Sequence, residues 1–362
     1  MTLSSFESVR ICMGELDEYY EDFYGYGSRA LIVTGKSSAK NGALGDVLRI
    51  LKKLEIDCIV YNNVTQNPPI ESVSECATIG LDFKADFIIA IGGGSAIDVA
   101  KAASVLITCE NPNDTTILFC DGLDEFIPVI AVPTTAGTGS ESTGSAILTS
   151  HEQKTKVSIK RRVYCKKAFI NVNYTIGLPD EVTLSTAIDV LSHYIDGYMS
   201  TNANLETDAL AENGFREFSK LLQNIAKRDF DLNFRKKIMM MSNCAGHVIS
   251  VTRTTLPHIL GYPLTYQKRV LHGFSCGLLT YKFLEFHKDT KKKTRLLDLC
   301  GFTENGDFGL FMKSVCPNPN CTEVDIQRYT DTVWADRSRL HTHPFDVERE
   351  DILNIYRESL LI

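Results

Sequence analysis

The stretch FIIAIGGGSAIDVAK, residues 87–101, joins a short apolar run directly to a helical pattern. Five apolar residues rich in isoleucine are too few for a helix and predict a buried strand. Three glycines at 92–94 let the backbone approach a ligand closely. The helix that follows them offers free N–H groups and a positive dipole end, which suit a pyrophosphate. We therefore predict a phosphate-binding strand–turn–helix unit.

The alternative for this loop is a tight turn without a ligand, but three successive glycines exceed what a turn requires. The loop is not GxGxxG, and it lacks the Lys-Ser/Thr ending of nucleotide-hydrolase loops. A second loop, PTTAGTGSE at 133–141, directly follows the apolar run 129–132. A polar linker would hardly follow a buried strand so closely, so these small and hydroxyl residues are predicted to contact a cofactor.

Outward from this unit, apolar runs at 30–34, 58–61 and 129–132 alternate with helical stretches, which predicts a parallel sheet built from βαβ units. From about residue 181 the apolar spacing has a period near 3.6, which predicts helices. The chain has 362 residues, enough for two domains. We expect an α/β domain at 1–180 and a helical domain at 181–362.

Composition excludes several classes of function. The net charge is −7 and there is no basic stripe, so a nucleic-acid partner is not expected. No apolar run approaches the roughly 18 residues of a membrane span, and the N-terminal stretch lacks a signal-peptide pattern. The eleven cysteines are scattered without a CxxC pair, which is typical of a reducing compartment. A cytoplasmic protein is predicted.

Asp189 and His193 lie in a segment, residues 183–193, that is expected to begin a helix. Side chains four residues apart project from one helix face, so both can bind one ion. A hydrogen bond between the two side chains explains the same spacing, and this pair alone does not decide between them.

A second pair, His258 and His272, brackets residues 259–271, which a glycine and a proline are expected to break into a loop. Each histidine adjoins a residue expected to form a turn, Gly273 in the case of His272. One carboxylate and three imidazoles form a site for a divalent first-row metal with room for a substrate oxygen. Such ligands suit Fe²⁺ or Zn²⁺ without distinguishing them.

Four motifs together resemble the iron-containing (group III) alcohol dehydrogenase family. They are GGGSAIDVAK at 92–101, PTTAGTGSE at 133–141, AIDVLSHYIDGY at 187–198 and the HILGYPL…HG pattern at 258–273. The glycine loop alone specifies only a superfamily shared with glycerol dehydrogenases and dehydroquinate synthases, whereas the other motifs are more specific. The resemblance implies an N-terminal Rossmann-like α/β domain, an all-α C-terminal domain and a cleft between them.

The resemblance also implies roles for individual residues. The metal ligands would be Asp189, His193, His258 and His272. The positions that match the family's cofactor-binding residues are Gly93, Gly94, Ser95, Thr134, Thr135, Thr138 and Lys156, the last near the nicotinamide ribose. Asn67 and Asp98 are further candidates for cofactor binding. A homo-oligomer, most simply a dimer, is implied as well.

The chain departs from the family pattern near the proposed metal. Tyr262 stands where many members have a second histidine, so proton delivery must differ or use water, although Tyr262 can still donate a hydrogen bond. Arg253 replaces a glycine, and His247 lies nearby. An arginine in the pocket would favour an acidic or phosphorylated substrate, while an exposed arginine on a helix is the alternative.

The first strand ends in Thr34-Gly35-Lys36-Ser37-Ser38, without the carboxylate that usually binds the ribose 2′-hydroxyl of NAD. Gly35 leaves room there, and Lys36 and Ser37 can bind a 2′-phosphate. NADP(H) is therefore predicted as the preferred cofactor, with NAD(H) as the alternative.

The predicted function is a metal-dependent alcohol dehydrogenase or aldehyde reductase acting on a small molecule. His272 and Tyr262 are its candidate catalytic residues. The metal acts as a Lewis acid and a hydride passes between substrate and nicotinamide. A dehydroquinate-synthase-like lyase and a non-catalytic cofactor-binding protein are the alternatives.

Overall fold

The computed structural model describes residues 9–11, 15–122 and 125–361. The prediction that the N-terminal stretch is not a signal peptide concerns residues that lie partly outside these ranges, namely 1–8 and 12–14. The chain divides into two compact units. The first ends at Leu178 and the second runs from Pro179, with Glu152–Thr155 also belonging to the second.

The first unit contains a six-stranded parallel sheet with the strand order β1-β8-β5-β4-β2-β3. Every residue of its two central strands β4 and β5 is buried, as expected of a parallel sheet covered on both faces. The remaining strands β6 and β7 form a separate two-stranded sheet. The strands are β1 Val9–Ile11, β2 Arg29–Thr34, β3 Asp57–Tyr61, β4 Phe87–Gly92, β5 Val129–Pro133, β6 Ile147–Ser150, β7 Thr155–Ser158 and β8 Lys167–Ile170.

Three α-helices connect the strands of this unit: α1 Ala43–Lys53, α2 Ile70–Asp82 and α3 Gly94–Thr108. Short 3₁₀ helices lie at Leu16–Phe23, Thr115–Phe119, Ser140–Ser142 and Val172–Thr175. The predicted alternation of strands and helices is confirmed from β2 to β5. The short strands β1 and β8 were not predicted, because three or four residues give too little pattern to separate a strand from a loop.

The second unit is helical, as predicted. Its α-helices are α4 Asp180–Tyr198, α5 Leu205–Ser219, α6 Leu222–Lys227, α7 Leu232–Thr252, α8 Leu256–Lys268, α9 His272–Phe286, α10 Thr290–Cys300, α11 Asn305–Val315, α12 Glu323–Ala335 and α13 Arg349–Leu360. One 3₁₀ helix lies at Arg337–Thr342. No helix among the described residues is both long and apolar enough to cross a membrane.

The predicted loop between His258 and His272 is wrong. Residues 256–268 form helix α8, with Pro263 inside it, and only residues 269–271 separate α8 from α9. A proline removes one helical hydrogen bond, but residues 256–265 are all buried, and their packing outweighs that loss. The Tyr356 hydroxyl also donates to the carbonyl of Leu260, 2.6 Å away, in the turn before the proline.

Gly273 does not form a turn as expected, because it is the second residue of helix α9. A Cβ atom at this position would lie 1.8 Å from the carbonyl oxygen of Ser185 on α4 and 2.9 Å from the Cβ of Asp189. The glycine therefore permits α4 and α9 to touch through their backbones. This contact brings His272 and Asp189 to the same place.

Candidate metal centre and cofactor loops

Three helices of the second unit bring together a cluster of metal-binding side chains. Among the described residues, ligand atoms of Asp189, His258, His272 and Cys276 all lie within 4.8 Å of one another. Asp189 comes from α4, His258 from α8, and the other two from the first turns of α9. The structure thus brings together three of the four predicted ligands and adds a cysteine that the sequence analysis missed.

His193, the fourth predicted ligand, lies one turn after Asp189 on α4, as its spacing predicts. Its ring stacks on that of His258, with the ring centroids 4.4 Å apart. His193 is buried next to the cluster of Asp189, His258, His272 and Cys276, but it is not one of those four residues.

The cluster fits a divalent cation. Asp189 Oδ1 and His258 Nε2 are buried, have no hydrogen-bond partner and lie 3.5 Å apart. Burial raises the pKa of the Asp189 carboxyl, but the neighbouring imidazoles of His193, His272 and His258 together hold it well below its usual range. The carboxylate is therefore ionised at neutral pH. An ionised oxygen facing an imidazole nitrogen is the donor set that a first-row metal takes.

Asp196 orients one of these imidazoles. Its fully buried carboxylate accepts hydrogen bonds from His258 Nδ1 at 2.7 Å and from the Thr255 backbone N–H at 2.9 Å. With Nδ1 hydrogen-bonded to Asp196, Nε2 is the His258 nitrogen that faces the cluster and would bind a metal there. The sequence analysis missed Asp196, although it follows Asp189 and His193 at helical spacing, seven and three residues on.

Tyr262 lies on α8, one turn after His258. Its ring stacks on that of His272 with the centroids 5.6 Å apart, and the Arg339 guanidinium lies 5.5 Å from the Tyr262 ring. The side chain is buried, and burial raises the pKa of its phenol. The structure therefore brings the second candidate catalytic residue into contact with the first.

The two predicted cofactor loops of the first unit pack against each other. The strands that precede them are neighbours, with Gly92 of β4 paired to Pro133 of β5. A Cβ on Gly93 would lie 2.7 Å from the Thr135 hydroxyl, and one on Gly94 would lie 2.8 Å from that of Thr138. Only glycine at 93 and 94 leaves room for this contact.

A buried ion network fixes the second loop. The Lys101 ammonium is fully buried and donates to the carbonyl oxygens of Ser140, Thr143 and Ser145 at 2.6, 2.7 and 3.0 Å. Asp98 accepts from the Ser140 hydroxyl at 2.6 Å and from the Ile147 N–H at 3.0 Å. Burial raises the pKa of Asp98 although the Lys101 charge opposes it. The Asp98 carboxylate thus positions the Ser140 hydroxyl and the Ile147 N–H of the protein itself. Lys101 was not among the predicted cofactor residues.

The remaining predicted cofactor residues lie in several parts of this unit. Lys36 and Ser37 are exposed just after β2, whose end is joined to that of β4 by the Thr34 hydroxyl donating to the Ile91 carbonyl at 2.6 Å. The Asn67 carbonyl accepts from the Thr149 hydroxyl at 2.9 Å. Lys156 is buried on β7 and its charge acts on Asp98.

Arg253 has a backbone conformation that normally belongs to glycine. It ends α7 with φ 60° and ψ 175°, a region that side chains other than glycine occupy at a cost of about 1–3 kcal/mol. Its side chain is exposed, whereas His247, on the same helix, is buried and has an imidazole pKa lowered by burial. A glycine at this position would adopt the same conformation without strain.

We expect Arg253→Gly to raise the free energy of unfolding by about 1–2 kcal/mol, since relief of strain exceeds the extra chain entropy of glycine. Urea unfolding followed by circular dichroism measures the change. The matched control is Arg228→Gly, at an α-helix end with φ 53° and ψ 37°, where the ordinary left-handed region predicts a smaller gain. A loss of stability in Arg253→Gly would show that contacts of the arginine outweigh its strain.

Comparison with known families defines the class of protein. Residues 8–172 match the family described as iron-containing alcohol dehydrogenase, and residues 183–360 match the Fe-containing alcohol dehydrogenase family, C-terminal. Both descriptions are of oxidoreductases. The chain belongs to the iron-containing alcohol dehydrogenase family, which confirms the resemblance carried by its motifs.

Individual relatives agree with this assignment. Long-chain-alcohol dehydrogenase 1 of Geobacillus thermodenitrificans is 29% identical over 324 residues, covering 87% of this chain and 80% of that protein. The solved iron-containing alcohol dehydrogenase of Thermotoga maritima is 32% identical, with 98% of each chain covered and a TM-score of 0.88. Sulfoacetaldehyde reductase of Bifidobacterium kashiwanohense, solved with NAD⁺, is 25% identical, with 98% and 96% covered and a TM-score of 0.81. These similarities confirm the predicted fold class.

Proposed function

We propose that this chain is a metal-dependent, NAD(P)-linked alcohol dehydrogenase or aldehyde reductase. The observation that carries the proposal is the buried pair of unpartnered donor atoms, Asp189 Oδ1 and His258 Nε2, 3.5 Å apart beside His272. A carboxylate oxygen and an imidazole nitrogen that are buried without hydrogen bonds cost several kcal/mol unless a cation satisfies them.

The metal would be held by Asp189, His258 and His272, with His193 as the fourth ligand implied by the family. Iron is the metal in the family's name, and Zn²⁺ suits the same donors. When bound, the ion supplies Lewis acidity to an alcohol or aldehyde oxygen, and the nicotinamide supplies or accepts the hydride.

The chain's own residues would orient the reactants and move the proton. Asp196 keeps His258 in the tautomer that leaves Nε2 free. Tyr262, stacked on His272, carries a phenolic hydroxyl that donates a hydrogen bond at neutral pH. We assign Tyr262 to proton transfer, in the place of the second histidine that the family resemblance implies.

Cofactor binding is assigned to the glycine turn at 92–94 and to the hydroxyl-rich loop packed against it. Gly93, Gly94 and Ser95 at the start of α3 offer backbone N–H groups to the pyrophosphate. We assign cofactor binding also to Asn67, Thr134, Thr135, Thr138 and Lys156. Asp98 would act indirectly, by positioning the loop that contains Ser140. Lys36 and Ser37 are exposed beside Gly35, so NADP(H) is proposed as the preferred cofactor.

Names of relatives supply the substrate class. They denote a long-chain alcohol for one relative and sulfoacetaldehyde for another. We propose a small alcohol or aldehyde for this chain. The eleven scattered cysteines support a cytoplasmic location, and the family resemblance supports a homodimer.

The proposal is tested on protein stripped of metal and reloaded with Fe²⁺ or Zn²⁺ under anaerobic conditions. With a panel of short aldehydes, we expect oxidation of NADPH only in the reloaded protein. The KM for NADPH should be about tenfold or more below that for NADH, because a charge-assisted hydrogen bond to the 2′-phosphate contributes about 1.5–3 kcal/mol. Absorbance at the nicotinamide band measures both.

Lys36→Ala should remove most of the preference for NADPH, and Lys40→Ala, an exposed lysine four residues on, should keep it. A preference for NADH in the unmodified protein would contradict the cofactor assignment. Absence of turnover with every aldehyde and both metals would favour the non-catalytic alternative.

A further inference from the structure

An arginine lies beside the candidate metal centre. Arg339 belongs to the 3₁₀ helix at Arg337–Thr342, and its guanidinium lies 5.5 Å from the centroid of the Tyr262 ring. The same ring stacks on the imidazole of His272, with the centroids 5.6 Å apart. Arg339 and a candidate metal ligand are therefore neighbours of one phenol ring.

A hydrogen bond attaches this 3₁₀ helix to the start of α8. The Thr342 hydroxyl, at the end of the 3₁₀ helix, donates to the carbonyl of Thr254 at 2.8 Å. The next residue, Thr255, is the N-cap of α8, and its backbone N–H donates to the Asp196 carboxylate. The position of Arg339 is thus tied to the helix that carries a metal-binding imidazole and the proposed proton donor.

The charge of Arg339 adds to a centre whose own charges balance. With a divalent ion bound through neutral imidazoles, the carboxylates of Asp189 and Asp196 balance its two positive charges. Asp336 lies 3.6 Å from the Arg339 Nε, but this carboxylate is 54% exposed, so the ion pair contributes little. Since a guanidinium stays protonated in proteins, Arg339 places a positive charge beside the cluster.

A guanidinium in this place can select a substrate by charge. Its N–H groups lie in one plane and form a fork that matches two oxygens of an oxyanion, while its flat face contacts an aromatic ring. One side chain can therefore contact Tyr262 and bind an anion. Arg253, the arginine considered for this role from the sequence, is instead exposed at the end of α7.

We propose that Arg339 binds an anionic group of the substrate, so that the chain acts on short aldehydes or alcohols that carry a carboxylate, sulfonate or phosphonate. This rests on the proposed function, because it assumes that the reacting oxygen binds at the metal cluster. Arg339 would take no part in the bond changes. It would hold the far end of the substrate and thereby decide which aldehydes are accepted.

A matched pair of aldehydes tests the proposal. 4-Oxobutanoate and its methyl ester share one carbon chain and differ by one negative charge. With NADPH and the metal-loaded protein, we expect kcat/KM to be about tenfold or more higher for the acid. Arg339→Gln should lower kcat/KM for the acid by about 10–100-fold, chiefly through KM, and leave the value for the ester essentially unchanged. Phosphonoacetaldehyde and its dimethyl ester form a second pair, which distinguishes a phosphonate site from a carboxylate site.

A binding measurement checks the same contact without turnover. By calorimetry, 4-hydroxybutyrate should bind the metal-loaded protein more tightly than the uncharged 4-hydroxybutanamide, and Arg339→Gln should remove this difference. Arg337→Gln is the matched control for both experiments. Arg337 lies on the same 3₁₀ helix with its guanidinium 4.9 Å from the Trp334 ring, so its loss should change neither result.

The outcomes separate the two proposals. Turnover of both members of each pair without a preference for the anion would overturn the role of Arg339 and leave the dehydrogenase standing. Equal losses for acid and ester in Arg339→Gln would also overturn it, because the arginine would then act through Tyr262. Absence of turnover with charged and neutral aldehydes alike would overturn the proposed function, and this inference with it. If Arg339→Gln fails to fold, Arg339→Lys decides: it lacks the fork and should keep only part of the preference, and an unchanged preference would overturn the proposal.

Discussion

Gly273→Ala is expected to lower the free energy of unfolding by about 3 kcal/mol or more, at the upper end of the cost of overpacking. The added methyl carbon would lie 1.8 Å from the Ser185 carbonyl oxygen, so α4 and α9 would have to separate by more than an ångström. The obstacle is backbone, which cannot rotate away as a side chain can. Urea unfolding measures the loss.

The same separation would move His272 away from Asp189, so metal content after dialysis against a weak chelator should fall with stability. Gly306→Ala is the matched control. Gly306 is likewise the second residue of a helix, α11, but no atom lies within 4 Å of its added Cβ. There alanine should be neutral or stabilising by up to about 1 kcal/mol. Gly273→Ala with normal stability and metal content would contradict the close contact of α4 and α9.

The fold was predictable where local patterns are long and regular. The apolar runs that became β2, β4 and β5 are buried in the sheet, and the glycines at 92–94 mark the start of α3 as expected. Residues 256–268 were mispredicted because glycine and proline normally interrupt helices. Here Gly261 permits close packing of α8 against α9, since a Cβ atom added at this position would lie 3.3 Å from Cys276 Sγ. Tertiary packing of this kind leaves no signal in local sequence.

Those parts of the candidate metal site that depend on residue type and spacing were predictable from the sequence. Asp189 and His193 share a helix, and His258 and His272 stood out among only eight histidines. Asp196 and Cys276 were missed for different reasons. Asp196 continues the helical spacing, a signal that was present, whereas the position of Cys276 beside His258 depends on the approach of α8 to α9, which only the folded chain shows.

Asp196→Ala is expected to weaken metal binding by about 10–100-fold, the usual loss when a group that orients a ligating histidine is removed. The substitution leaves His258 Nδ1 and the Thr255 N–H without their acceptor, so the imidazole can rotate or take the wrong tautomer. Competition with a chromophoric chelator measures the affinity. Asp208→Ala is the control, because that carboxylate pairs with Lys292 instead.

Asp196→Asn separates orientation from charge. An amide oxygen can still accept from both His258 Nδ1 and Thr255 N, and its NH₂ can donate to the Thr255 hydroxyl, which lies 3.1 Å from the other carboxylate oxygen. The orientation of the His258 imidazole is then kept, while the negative charge that makes its Nε2 a stronger metal ligand is lost. Affinity should therefore fall between those of the unmodified protein and Asp196→Ala. If Asp196→Ala binds metal as tightly as the control, Asp196 has only a structural role, and packing around α8 alone must orient His258.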